Sequence, residues 1–200
     1  MGALVERAIE NSVTALMSQN KDLCVQVIAA DKEINALTAN IESKALKILL
    51  MQQPVASDLR TISTALKIVT DLERIGDQAR DICAIVLHLC DEDYQPTLTI
   101  LPQMGEQAKD MVNACIDSFV KLDLDLAQKV IKTDDNMDEL FRKLKDKMVQ
   151  LIKDKPAYAD QALYFMMVGK YFEKIGDHAE NIAQWVIFSK IGEHKHVKIL

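Results

Sequence analysis

Residues 22 to 52 and 123 to 153 contain neither glycine nor proline, and each carries apolar residues at helical spacing. Thirty-one residues without a breaker predict one helix of about eight turns in each stretch. Residues 57 to 90 and 157 to 191 have the same periodicity, interrupted only by glycines, and shorter helices are expected near 3 to 18 and 103 to 120. The four prolines, Pro54, Pro96, Pro102 and Pro156, fall between these segments, where a residue that breaks the helix ladder belongs. Ser57 is the expected N-cap of the segment after Pro54. "DEDYQPT" at 91 to 97 reads as the linker between halves.

The two halves repeat each other. "DLERIGDQARDI" at 71 to 82 returns as "YFEKIGDHAENI" at 171 to 182, with Glu, Ile, Gly, Asp, Ala and Ile at the same places. An offset of about one hundred residues aligns all three helices, placing Asp31 on Asp134 and Glu73 on Glu173. The expected fold is therefore all-α, a tandem pair of three-helix bundles spanning 1–95 and 96–200, with antiparallel neighbours within each.

Several function classes are excluded. A formal charge of −6 and the lack of a Lys/Arg cluster argue against nucleic acid. No apolar run is long enough to cross a bilayer, and "MGALVERAIE" lacks the order of a secretory signal, so a cytoplasmic location is expected. Cys24, Cys83, Cys90 and Cys115 form no C-x-x-C pair and read as buried, reduced thiols. A ferritin-like oxidase needs Glu-x-x-His pairs facing a bundle core, yet the one such pair here is Glu193 to His196, in a tail expected to fray.

The acids carry the chemistry. In 57 to 90 the seam is Ala65, Ile68, Leu72, Ile75, Ala79, Ile82, Val86 and Leu89, and Glu73 and Asp77 lie about 160 to 200° from Ile75, on the outer face with Asp81. In the preceding helix Val27, Ala30, Ile34, Leu37, Ile41 and Ile48 make the seam, flanked by Asp31 and Asn35. A hairpin turning near residue 55 sets Asp31 level with about residue 79, and one near 155 sets Asp134 level with about 176 and Asp138 with about 172. Two rows of oxygen donors thus face one another twice, and carboxylates so crowded repel unless a cation intervenes.

A solvated charged face is the simpler alternative, because Arg74 and Arg80 flank Asp77 in the first half. The second half has Glu180 where the first has Arg80, which favours a cation there. Gly76 and Gly176 admit two reasons for a costly mid-helix glycine: close packing, or room beside the acids for an ion. His178, whose counterpart is Gln78, is not a ligand common to both sites.

At "PVASDLRTISTALKIVTDLERIGDQARDI" and "YFEKIGDHAENIAQWV" the chain resembles the PhoU family of phosphate-signalling accessory proteins. The resemblance implies E(D)xxxD motifs that hold metal ions, iron, zinc, manganese or magnesium clusters, at Asp31, Asn35, Glu73, Asp77 and Asp81, and at Asp134, Asp138, Glu173, Asp177 and Asn181. Asn35 and Asn181 bring an oxygen without a charge, so fewer or weaker ions are expected than at all-carboxylate sites. It further implies a regulator rather than an enzyme. Its partners would be the ATPase of a phosphate ABC transporter and a sensor histidine kinase, with a homodimer as the assembly and membrane contact through partners alone. A secondary phosphate carrier as partner, or a metal-free adaptor, is the alternative.

Overall fold

A computed structural model describes residues 1–90, 99–194 and 197–198. Six helices follow one another: α1 Gly2–Ser18, α2 Lys21–Gln52, α3 Ser57–Leu89, α4 Ile100–Lys121, α5 Leu124–Asp154 and α6 Ala159–Ile191. The two breaker-free stretches are each a single helix, as their composition dictates. The proposed linker at 91 to 97, with Pro96, and the 95/96 division lie outside the described residues, as does His196.

Both long helices begin on the same device. Asn20 Oδ1 accepts from the Leu23 N–H at 3.0 Å, and Asp123 Oδ1 accepts from the Leu126 N–H at 3.0 Å, satisfying a donor that the first turn leaves free. Neither cap stands out in the sequence until the helix start is known. Ser57 is not a cap: it is the first helical residue, and Ala56 precedes it at φ 50°, with the turn closed by Asp58 N–H to Val55 O and Arg60 N–H to Ala56 O. Pro102 lies inside the first turn of α4 rather than before it, where its missing N–H would have had no helical partner anyway. Pro156 opens a 3-10 turn, Pro156–Tyr158, that leads into α6.

The units are packed as one body. Each third helix touches its own two neighbours, α1 and α2 for α3, α4 and α5 for α6, and α3 and α6 also pack on each other while α1 meets α4. A core running through all six helices results, with Ile75, Ala79, Ile82 and Val86 of α3 facing the same interior as Ile175, Ala179, Ile182 and Val186 of α6. Helices α3 and α6 are thus central, and a central helix buries more than one stripe: in α3, Val69, Gly76 and Cys83 are covered as well as the expected seam. Among the described residues of the tail, Glu193–His194 pairs antiparallel with Val197–Lys198 instead of fraying.

Candidate functional site

The hairpin register brings the acids of neighbouring helices to one level. A Cβ at Gly76 would lie 3.8 Å from Asp31 Oδ1, and one at Gly176 would lie 2.9 Å from Asp134 Oδ1. In both halves an acid from the second helix therefore faces a glycine of the third. The glycines are not equivalent in detail. Gly76 chiefly admits Ile34, whose Cδ1 would be 2.9 Å from the missing methyl, whereas Gly176 admits the Asp134 carboxylate itself, with Met137 Cγ at 3.2 Å.

These acids are less exterior than an outer stripe. The buried positions of α2 run Cys24, Val27, Asp31, Ile34 and Thr38, so Asp31 stands within the seam rather than beside it, 7% exposed, while Ala30 and Ile48 are exposed. In α5 Ala127, Val130, Met137, Leu144 and Met148 are buried, and Asp134 continues the same three-four spacing as a half-buried member. Glu173 is 8% exposed. The stripe opposite Ile75 is partly covered because α2 packs against α3, and α5 does the same for α6. Asn35 and Asp138 stay exposed, and Glu73, Asp77, Asp81, Asp177 and Asn181 are half-buried.

In the first half an arginine sits amid the acids. Arg80 donates through Nη1 to Asp77 Oδ1 at 2.7 Å and to Asp31 Oδ2 at 3.2 Å, and through Nε and Nη2 to Asp81 Oδ1 at 3.1 and 2.9 Å. Asn35 Nδ2 adds a bond to Asp31 Oδ2 at 3.1 Å, and Arg74 reaches Asp77 at 3.4 Å. Burial pulls the guanidinium pKa down, but Asp81, Asp77 and Asp31 together hold it above its usual value. Asp31 Oδ1, facing Gly76, keeps no hydrogen-bond partner.

The second half has no such filler. Glu180 stands where Arg80 does, and the cations that approach are lysines of α6. Lys170 pairs with Glu173 Oε1 at 2.5 Å and lies 5.3 Å from the Phe141 ring, and Lys174 pairs with Asp177 and, at 3.6 Å, with Glu173 Oε2. Asp134 Oδ1 and Glu173 Oε2 are buried without a hydrogen-bond partner. Burial, then the charges of Asp177, Glu180, Asp138 and Glu173, push the Asp134 carboxyl up to about 7.

A hard cation is the ligand chemistry such donors fit, because orphaned carboxylate oxygens need positive charge and oxygen-only sets suit Mg, Mn or Fe. Among the described residues no three His, Cys, Asp or Glu side chains already converge as a ligand cage. The second half fits a cation provided its lysines swing outward, whereas in the first half a guanidinium already lies on the three carboxylates.

His178 bridges the two halves. Its Nδ1 lies 2.8 Å from Asp71 Oδ1, a partly buried pair that joins α6 to α3 across the two halves. Sequence reasoning missed it, although both residues break the repeat: Asp71 answers to Tyr171 and His178 to Gln78.

The fold has close counterparts among known proteins. A model of the PhoU domain matches residues 1–86 and again 101–186. The chain belongs to the PhoU family. It is 34% identical over 194 residues to the phosphate-specific transport system accessory protein PhoU homolog of Clostridium acetobutylicum, covering 96% of this chain and 89% of that protein. The crystal structure of PhoU from Pseudomonas aeruginosa superposes with a TM-score of 0.93 at 35% identity, over 96% of this chain and 93% of the other. The phosphate transport system regulatory protein PhoU from Streptococcus pneumoniae gives 0.91 at 25% identity, over 98% and 92%. Homologous PhoU proteins are accessory proteins of phosphate-specific transport, and this chain is built like them along almost its whole length.

Proposed function

We propose that this chain is a cytoplasmic regulator of phosphate uptake and phosphate-starvation signalling. It acts by docking on the ATPase of a phosphate transporter and on a sensor histidine kinase, as a homodimer, and performs no catalysis of its own. The observation that carries this reading is likeness to PhoU accessory and regulatory proteins over nearly the full chain, at both the sequence and the fold level. Two features fit it. No helix among the described residues is long and apolar enough to cross a membrane. Leu46, Leu50, Met51 and Val55 stand exposed around the α2–α3 turn, an apolar surface of the kind protein docking uses.

The second half holds a divalent cation in this proposal. Asp134, Glu173 and Asp177 are the oxygen donors, with Asp138, Glu180 and Asn181 at the margin. The cation supplies positive charge that offsets the repulsion among these carboxylates and leaves a locally neutral surface for docking.

Affinity capture with the tagged chain from phosphate-replete cells tests the regulatory reading. Recovery of the transporter ATPase or the kinase, reduced in phosphate-starved cells, is the expected result. Capture of neither in either condition contradicts it, and capture of a sodium- or proton-coupled phosphate carrier instead moves the partner to that class.

A further inference from the structure

Between the two acidic clusters the charge reverses sign at residue 80 against residue 180, beside the smaller differences Asp81 against Asn181 and Thr70 against Lys170. We infer that Arg80 is a tethered counter-ion that occupies the place of a bound cation in the first half, so that cation binding by this chain is confined to its second half. The inference rests on the cation reading proposed for that half and deepens it.

One guanidinium touches carboxylates from two helices: Asp31 of α2, and Asp77 and Asp81 of α3, at 2.7 to 3.2 Å. Two of them, Asp31 and Asp77, are the repeat-equivalents of the donors Asp134 and Asp177, while Glu73, the equivalent of Glu173, lies outside the Arg80 contacts. Arginine is permanently charged, and its planar fork spends three nitrogens here, so a metal ion must displace several charge-assisted bonds at once. Asp31 is itself 7% exposed and is engaged at Oδ2 by both Arg80 and Asn35. Its remaining orphan, Oδ1, is a single oxygen directed at Gly76, whose missing side chain is filled by Ile34.

The second cluster is the opposite case. Glu180 adds negative charge at the equivalent place, and its field reaches Asp134. Lys170 and Lys174 are i, i+3 partners on the same helix, more exposed than the acids they pair with, and lysine is a flexible point charge. Glu173 is more than nine-tenths buried with Oε2 lacking a hydrogen bond, and Asp134 Oδ1 beside Gly176 lacks one as well. Asp134 Oδ1 thus remains open, and Glu173 Oε2 is held only by the longer 3.6 Å approach of Lys174, which must swing away for an ion to enter.

The test is Mn2+ titration of the full, metal-stripped chain, with free Mn2+ followed by electron paramagnetic resonance. The pair Glu173→Gln with Asp177→Asn should abolish Mn2+ binding. Adding Arg80→Glu to that pair should restore about one bound ion per chain, now in the first half. Arg80→Gln, which removes the charge and shortens the side chain while keeping it polar, should act likewise, while Arg80→Lys should restore much less; helical circular dichroism confirms that each variant is folded. Retention of Mn2+ by the pair alone, or no gain from either Arg80→Glu or Arg80→Gln in folded protein, overturns the inference. Failure of the wild-type chain to bind Mn2+, with a gain on Arg80→Glu, would remove the cation from the second half yet leave Arg80 as the excluding group.

Discussion

Asp134→Asn should make the metal-free protein more stable, not less, at alkaline pH. The folded-state carboxyl is pushed from 3.8 to about 7, first by burial and then by its acidic neighbours. An acid raised in this way binds its proton more tightly folded than unfolded, so its contribution to stability is full below about pH 4 and is lost as pH rises toward 7. The full shift corresponds to roughly 4 kcal/mol. The group is only half-buried, and solvent screening reduces the usable figure to about 1–2 kcal/mol. Asparagine keeps the shape and an oxygen for the pocket at Gly176 but cannot ionise. Urea unfolding in the presence of chelator at pH 5 and pH 8 measures the effect. The variant should gain about 1–2 kcal/mol over wild type at pH 8 and little at pH 5. A variant less stable than wild type at pH 8, or a difference that does not change with pH, would mean that the Asp134 carboxylate has a compensating partner and that the second cluster is not short of positive charge.

Two further outcomes follow from packing. Gly176→Ala should lower stability by about 1–3 kcal/mol despite the better helix propensity of alanine, because both the Asp134 carboxylate at 2.9 Å and Met137 at 3.2 Å must yield. Gly76→Ala should also lower stability, by about 0.5–2 kcal/mol, since buried Ile34 meets the added methyl with Cδ1 at 2.9 Å and Cγ2 at 3.3 Å, and thermal melts of both compare them directly. Cys24, Cys83 and Cys115 should resist a thiol reagent until the protein unfolds, with Cys90 reacting first, because all three are buried; the Cys83 and Cys115 thiols are also pushed up, whereas Cys24, lowered by its Cys83 neighbour, is shielded by burial alone.

Much of this structure was legible in the residues, and the misses have identifiable physical origins. Breaker-free runs and the hundred-residue echo fix six helices and their pairing within each half, because helix length and hairpin register follow from local chemistry alone. Reading one seam per helix failed for Glu173: α3 and α6 pack against each other and keep neighbours on further faces, so the stripe opposite the seam is still partly covered. Asp31 could have been placed by spacing, since it continues the three-four series of Cys24, Val27 and Ile34. Where Arg80 points could not, because a long side chain on a half-exposed position has several directions open to it and the choice is made by three acids on two helices. The Asp71–His178 pair was hidden for another reason, as it depends on how one repeat docks on the other rather than on either repeat alone.

Anomalous diffraction from crystals grown with Mn2+ tests the central claim most directly. The account predicts a peak roughly 2.0–2.2 Å from carboxylate oxygens of Asp134 and Glu173, with Lys174 turned away and the first cluster closed around Arg80. A peak among Asp31, Asp77 and Asp81 with the second cluster still held by its lysines would contradict it.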